Sequence, residues 1–523
     1  MLDVLPSGFD GMSMFLIVGG ALAVIMLIWD TVEVGRNDAA NLINAVFGAR
    51  VLSRQAAVWV AGLGVLLGAA ASSPVMETAR KKIFEPTMLD TVEKAVAIYV
   101  AVYIVDTILL YGYSAFGMPV STTACLVFEL LGASFALGGY QIIHWDKAGA
   151  VITAIVLSIF ISGVAGFMLQ RAVRGAIRDK GHQLSALLLH GGWIAGGMLA
   201  GLSYFMLVKG MKNVAVIKAF NDYLHHSAYG TSTFVLSLWV LFAAVIHMSL
   251  VIFRKRAAKW VFPVVAIIGT GCMGFAFGQN DLANCASPGL AALTLVCHWE
   301  QGVEIGTSIP IPWYMLLFCG ALLLVGMTTR NAARVTRAQV HAGSMAHNVA
   351  LWAPLWCIKL ARWMLNFRSE APTLAPPARL TEEGKTTHYD AVRACTILTV
   401  SASVIATASG LGLPVSTTYV AFAAIVATGA ADRIMHRGDA DLKLARTIWV
   451  IFSWFAAAVV AAIAACGVCL VVFHLGVVGI FVGVSGNLLL RLILKKRGDA
   501  HEQLTRRQAR DRMHPERYTD FEG

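Results

Sequence analysis

The sequence predicts an all-α polytopic membrane protein of about 12–13 transmembrane helices, with two inverted-topology repeats and helices broken within the membrane. Three observations point there. Of 523 residues, 58% are hydrophobic and only 14% charged, against about half and about a quarter in soluble domains; mean hydropathy is +0.70. Apolar runs of the ~20 residues needed to cross a bilayer core recur along the chain. Two polar motifs each occur twice, in the same order.

The apolar runs fall at 13–29, 55–73, 92–113, 148–169, 185–208, 233–253, 312–329 and, as one long stretch, 447–490. Residues 1–12 hold no Lys or Arg, and the run after them lacks a small-residue cleavage site. The first span is therefore expected to stay in the protein. Lys and Arg outnumber Asp and Glu by 41 to 30, a net charge of +11. The excess clusters between spans: Arg171, Arg174, Arg178 and Lys180; Arg254, Lys255, Arg256 and Lys259; Arg330, Arg334 and Arg337; and the tail from Arg491. That is the signature of loops on the cytoplasmic side and needs no nucleic-acid partner.

With those loops placed inside, the spans between them can be counted. The stretch 260–297 crosses once, outward, with its polar motif in the middle of a broken span. Counting back from Arg171, the span holding the first copy runs inward from an outside N-terminus. The two halves are thus expected to have opposite orientation. A re-entrant hairpin at 119–139 instead of a crossing would alter the count. The expected divisions are a first membrane repeat (1–170), central spans and loops (171–259), the first part of the second repeat (260–329), a cytoplasmic insertion (330–390), the remainder of the second repeat (391–494) and a basic tail (495–523). The insertion holds Pro372, Pro376, Pro377 and the charged run Glu382–Lys385, and its stretch 345–366 is expected on the membrane surface. The tail is expected to fray.

The first repeated motif is G-x-N-D-x-A-N, at 35–41 and 278–284; the second is G-x-P-V-S-T-T, at 117–123 and 412–418. A carboxylate at membrane depth costs ~2.5–3.5 kcal/mol on insertion scales, so Asp38 and Asp281 at equivalent positions need a reason. With Asn37, Asn41, Asn280 and Asn284 they supply the hard oxygen ligands that a sodium ion or a proton would use. Asn41 and Asn284 fall one turn later on the same helix face. The ordinary alternative is an Asp capping a helix beside a glycine break.

In the second motif a proline stops one segment and Ser121, Thr122 and Thr123, or Ser416, Thr417 and Thr418, open the next helix. First-turn amides lack intrahelical partners, and the positive end of the helix dipole attracts anions. Two such starts approaching the midplane would hold a tetrahedral oxyanion; the ordinary alternative is capping after a turn. Arg36, Glu129 and Asp106 are secondary candidates for pairing or titration. His225 with His226, and the Cys466–Cys469 pair within an apolar run, do not form metal-ligand sets. No Gly-Lys-Ser/Thr phosphate loop, serine elbow or His-Glu-x-x-His is present, so an ATP-driven pump or hydrolase has no support.

At these residues the sequence resembles the inorganic phosphate transporter (PiT) family, whose members carry duplicated G-x-N-D-x-x-N and G-x-P-V-S-T-T-H motifs. The likeness runs through Leu52–Ala56, Gly68-Ala69, Trp145 onward and Arg446–Trp454, covering most of 14–170 and 260–475. It implies import of inorganic phosphate by symport with sodium ions or protons, in a homodimeric inner-membrane protein without a cofactor. By it Ser121, Thr122, Thr123, Ser416, Thr417, Thr418, Asn41 and Asn284 would hold phosphate. Asn37, Asp38, Asn280 and Asp281 would serve the coupling cation, with sodium at Asp38 and Asp281. The chain departs from the pattern at Ala124 and Tyr419, where histidines are expected, and at Val65 and Leu398, where acids are expected. A permease for sulfate or another oxyanion, or a membrane sensor that binds an anion without moving it, shares these features.

Overall fold

Long apolar runs punctuated by Gly, Pro and basic turns leave the backbone one way to satisfy itself in lipid, and the chain is a set of helices. A computed structural model describes residues 12–72, 83–178, 180–211, 214–226, 229–300, 313–346, 351–366, 387–434 and 439–513. The run Pro372, Pro376, Pro377 and Glu382–Lys385 lies outside them. In order the helices are α1 Met14–Gly48, α2 Arg54–Ala70, α3 Val92–Ala115, α4 Thr122–Gly138, α5 Trp145–Ile177, α6 Leu184–Ser203, α7 Ala215–His225 and α8 Gly230–Phe253. There follow α9 Val261–Cys297, α10 Trp313–Met327, α11 Arg330–Ala342, α12 Leu355–Leu365, α13 Ala391–Gly410, α14 Thr417–Ala431, α15 Ala440–Leu475 and α16 Val477–Met513. Helix α6 runs on into a π-helical turn, Tyr204–Gly210.

Nine helical segments among the described residues are long and apolar enough to cross a membrane. A tenth span arises if α10 and α11, bent 70° apart, are taken together; α2, α4 and α14 are shorter apolar helices. The apolar stretch at 447–490 is two helices, parted at Gly476, whose φ is +58°.

Two expectations are corrected. Both N-D motifs lie inside unbroken helices, α1 and α9, instead of at breaks. Their polar side chains find partners on neighbouring segments, so the helix backbone stays intact. The breaks fall at the turns before α4 and α14, where Gly117 and Gly412 take φ of +64° and +70°, a region glycine enters without penalty. The start of the 330–390 stretch is α11, which packs on α1 with Arg334, Val335, Thr336 and Gln339 buried. Second, the tail is helical to Met513. Arg491 donates to Glu33 at 2.7 Å and lies over Trp29 and Tyr111, while Arg334 pairs with Asp499 and Glu502.

The N-D motifs are set by close helix contacts. A Cβ on Gly35 would run into the Leu323 carbonyl of α10, and one on Gly278 into the Val65 carbonyl of α2. The first residue of each motif is thus glycine because another backbone passes against it, the small-residue packing of membrane helices.

Candidate functional site

The four motifs meet at one buried place, and the two copies of each make equivalent bonds. Asn37 Nδ2 donates to the Val120 carbonyl at 2.7 Å, and Asn280 Nδ2 to the Val415 carbonyl at 2.6 Å. Ser114 donates to Asn37 Oδ1 at 3.5 Å, Ser409 to Asn280 Oδ1 at 3.3 Å. The hydroxyl strands then cross over. Thr123 Oγ1 donates to the Val415 carbonyl at 3.0 Å and Thr418 Oγ1 to the Val120 carbonyl at 3.1 Å. Asn284 Nδ2 donates to Thr123 Oγ1 at 2.8 Å and Asn41 Nδ2 to Thr418 Oγ1 at 2.9 Å. Each half's extended strand is therefore tied to its own N-D helix and to the other half's threonine.

Ser121 and Ser416 act as N-caps, accepting from the Ala124 and Tyr419 amides at 3.0 and 3.1 Å. The capping alternative is met for these two side chains; each cap accepts and so keeps a hydroxyl proton, and that of Ser121 faces the Tyr419 side chain. The amides of Thr122, Thr123, Thr417 and Thr418 sit in first turns, where no intrahelical acceptor exists.

The carboxylates break the symmetry. Asp38 Oδ1 accepts from Asn37 and Asn41, each at 2.9 Å, and lies 2.8 Å from Thr418 Oγ1, whose one proton goes either to it or to the Val120 carbonyl. Asp281 Oδ1 accepts from Asn284 at 2.9 Å, and Thr417 lies beside it. Thr122 Oγ1 stands between them, 3.2 Å from Asp38 Oδ2 and 3.0 Å from Asp281 Oδ1. A hydroxyl has one proton to give, so it satisfies one carboxylate and leaves the other facing an oxygen. None of the twelve motif residues is more than 2% exposed. Among the described residues no cationic side chain pairs with either carboxylate, because Arg36 turns to Glu33 at 2.7 Å. Asn284 Oδ1 is buried without a donor among the described residues. This all-oxygen, electron-rich set fits a hard monovalent cation or a proton.

Sequence reasoning missed several residues. Gln339 of α11 donates to Asn41 Oδ1 at 2.8 Å and accepts from Asn44 at 3.0 Å, an amide in a segment otherwise read as an insertion. Asp30 also went unnamed: it is buried with the secondary candidates Asp106 and Glu129, and Asp30 and Asp106 face each other within hydrogen-bonding reach. Neither oxygen of Asp30 or of Glu129 has a donor among the described residues. The nearby Arg491 is held by Glu33. An acid directly after the first apolar run, with Val34 and the N-D motif still to come, was the signal for Asp30. At the positions departing from the family pattern, Tyr419 stacks on Trp454 with ring centres 3.9 Å apart, and Val65 and Leu398 are core. His225 and His226 end α7 at the surface.

The chain matches the family model described as "Phosphate transporter family" over residues 34–338 and 383–465. A provisionally named phosphate permease of Pyrococcus horikoshii is 26% identical over 83% of this chain and 92% of its own. Similarly named proteins of Thermococcus kodakarensis and Haemophilus influenzae are 26% and 23% identical, over 82% and 80% of this chain and 92% and 89% of theirs. A solved structure described as "The sodium-dependent phosphate transporter" superposes with a TM-score of 0.63 at 20% identity, covering 88% of this chain and 99% of that one.

Proposed function

The chain belongs to the phosphate transporter family, and from that premise we propose that it imports inorganic phosphate by symport with sodium ions or protons. The observation that carries this reading is the Asp38–Thr122–Asp281 bridge, set between two helix starts with no cationic side chain among the described residues to neutralise it. Two buried carboxylates repel a phosphate until cations or protons arrive, and that requirement is what obliges the two cargoes to move together. Once the carboxylates are neutralised, the free amides of α4 and α14 and the hydroxyls of Ser121, Thr122, Thr123, Ser416, Thr417 and Thr418 are the oxyanion's donors. Asn41 and Asn284 position both groups. The structural neighbour is described as sodium-dependent, which supports sodium at Asp38 and Asp281. Protons have a second place to load, the carboxyls Asp30, Asp106 and Glu129.

In this reading the equivalent bonds of the two motif sets reflect an inverted repeat, and alternating access exchanges the crossed threonine contacts on one side and then the other. The protein works in the cell's inner membrane as a homodimer, as the family resemblance implies. The test is labelled phosphate uptake into proteoliposomes under an imposed sodium gradient and, separately, a proton gradient, with sulfate as competitor. Uptake should follow one gradient and collapse with its ionophore, and Asp38→Asn should abolish it while leaving protein in the membrane. Wild-type uptake by that variant would refute the cation assignment. Full competition by sulfate would move the substrate to oxyanions at large, and binding without uptake would make the protein a sensor.

A further inference from the structure

At the end of the molecule that carries the Gly117 turn, α11, α15 and α16 enclose a pocket of about 80 Å3. That is several times what one water needs and far short of a nucleotide. Arg334, Arg337, Arg446 and Arg506 line it, with His501 and a single carboxylate, Glu502. The acid is already claimed. Glu502 is paired with Arg334, with Arg337 at 2.8 Å and with Arg506 at 2.5 Å, and Arg334 also holds Asp499.

Arg446 receives none of this charge. It is 4% exposed, and its two terminal nitrogens donate to the carbonyls of Trp352 at 3.1 Å and Gly117 at 3.0 Å. No carboxylate among the described residues pairs with it. A guanidinium taken out of water is normally matched by an anion, because carbonyl dipoles do not return what its hydration is worth. Four planar forks around one engaged acid, with one fork lacking any counter-charge, form a recognition surface for a small tetrahedral oxyanion.

We propose that this pocket is a second oxyanion site, separate from the one at Asp38 and Asp281, that takes a phosphate group on Arg446, Arg337 and Arg506. The group is either free phosphate or the phosphate of an anionic lipid headgroup, since basic clefts between membrane helices serve both chemistries. The site reports on the transport machinery through Arg446 itself. The same guanidinium holds the carbonyl of Gly117, the pivot from which Met118–Val120 lead to the Ser121 cap and Thr122. An anion that draws Arg446 away loosens that pivot. Binding at this pocket does not depend on whether the chain transports.

The experiment is equilibrium binding of labelled inorganic phosphate to the full chain in nanodiscs, with native mass spectrometry of the lipids retained. It compares wild type, Arg446→Gln and Arg506→Gln, in phosphatidylcholine alone and with an anionic phospholipid added. Arg506 is surface-exposed, so its variant folds even if loss of Arg446 proves disruptive. If free phosphate is the ligand, wild type shows two classes of site in phosphatidylcholine. One class is then weakened about tenfold or more in Arg506→Gln, as loss of a charged hydrogen bond predicts, and is absent in Arg446→Gln. The anionic lipid leaves it unchanged. If the headgroup is the ligand, anionic lipid abolishes that class, and both variants retain less of the lipid than wild type. Failure of the central site would instead remove the class that both variants keep. A single class of phosphate site in all three proteins, with equal lipid retention, overturns the proposal.

Discussion

Replacing Thr122 by valine removes the one hydroxyl shared by Asp38 and Asp281 while keeping the shape of the side chain. Its oxygen lies 3.0 Å from Asp281 Oδ1 and 3.2 Å from Asp38 Oδ2. A hydrogen bond to a charged group contributes about 1.5–3 kcal/mol. The loss on that ground is ~10–150-fold in affinity for whichever cargo uses the hydroxyl. A second term adds to it. The two carboxylate oxygens can be no farther apart than the two bonds laid end to end, about 6 Å, and at an effective dielectric of about 20 their repulsion is ~3 kcal/mol. Thr122 Oγ1 is itself an oxygen that a cation between the carboxylates would use, so Thr122→Val weakens the hold on the cation that offsets this repulsion and should need more coupling ion to reach the same occupancy. The assay is initial-rate phosphate uptake in proteoliposomes, titrating phosphate at fixed cation and cation at fixed phosphate. Both half-saturation values should rise in Thr122→Val, and Thr122→Ser should stay close to wild type. Unchanged half-saturation in the valine variant, or equal damage in the serine variant, would refute the bridge as the linking element.

Three further outcomes follow from the packing. Gly278→Ala forces α9 away from the Val65 carbonyl and displaces Asp281; with backbone in the way, the cost should sit at the upper end of overpacking, ~3 kcal/mol, seen as a drop in thermal midpoint and loss of uptake. His388, outside the spans, is pushed down to about 3 by burial and by the nearby His341, Arg50 and Lys443. A base with a depressed folded value gives stability that is full above its unfolded value of about 6.5 and is lost as pH falls toward 3, up to ~2 kcal/mol at pH 5. The thermal midpoint of wild type should therefore fall more between pH 7 and 5 than that of His388→Gln; equal falls would remove His388 as the cause. Asp106→Asn takes one carboxyl from the buried group with Asp30 and Glu129. It should weaken proton-driven uptake and alter its pH profile while phosphate still binds, and an unaltered profile would give that group no part in coupling.

The repeated motifs were legible because their chemistry is local. Asn41 lies one helical turn from Asp38 whatever else the chain does, and Ser121 caps the residues that follow it. Asp38 and Asp281 stood out because a carboxylate in an apolar run is costly anywhere. Arg36 stayed open in the sequence for the opposite reason: Asp38 and Glu33 are both within reach along the chain, and in the fold it pairs with Glu33 and lies over Tyr111. Gln339 and Asp30 went unread because each matters through a residue far away in sequence or on another helix.

By itself, then, the sequence determined the membrane-spanning class, the duplication, and which side chains carry charge and hydroxyls into the apolar interior, since burial cost and helical periodicity act on neighbouring residues. The tertiary structure decided that the N-D helices stay unbroken and that the threonines cross between halves. It also decided that one hydroxyl joins the two carboxylates. Those contacts join residues up to several hundred positions apart, and their geometry depends on how closely glycine lets one helix pass another, which no local pattern encodes.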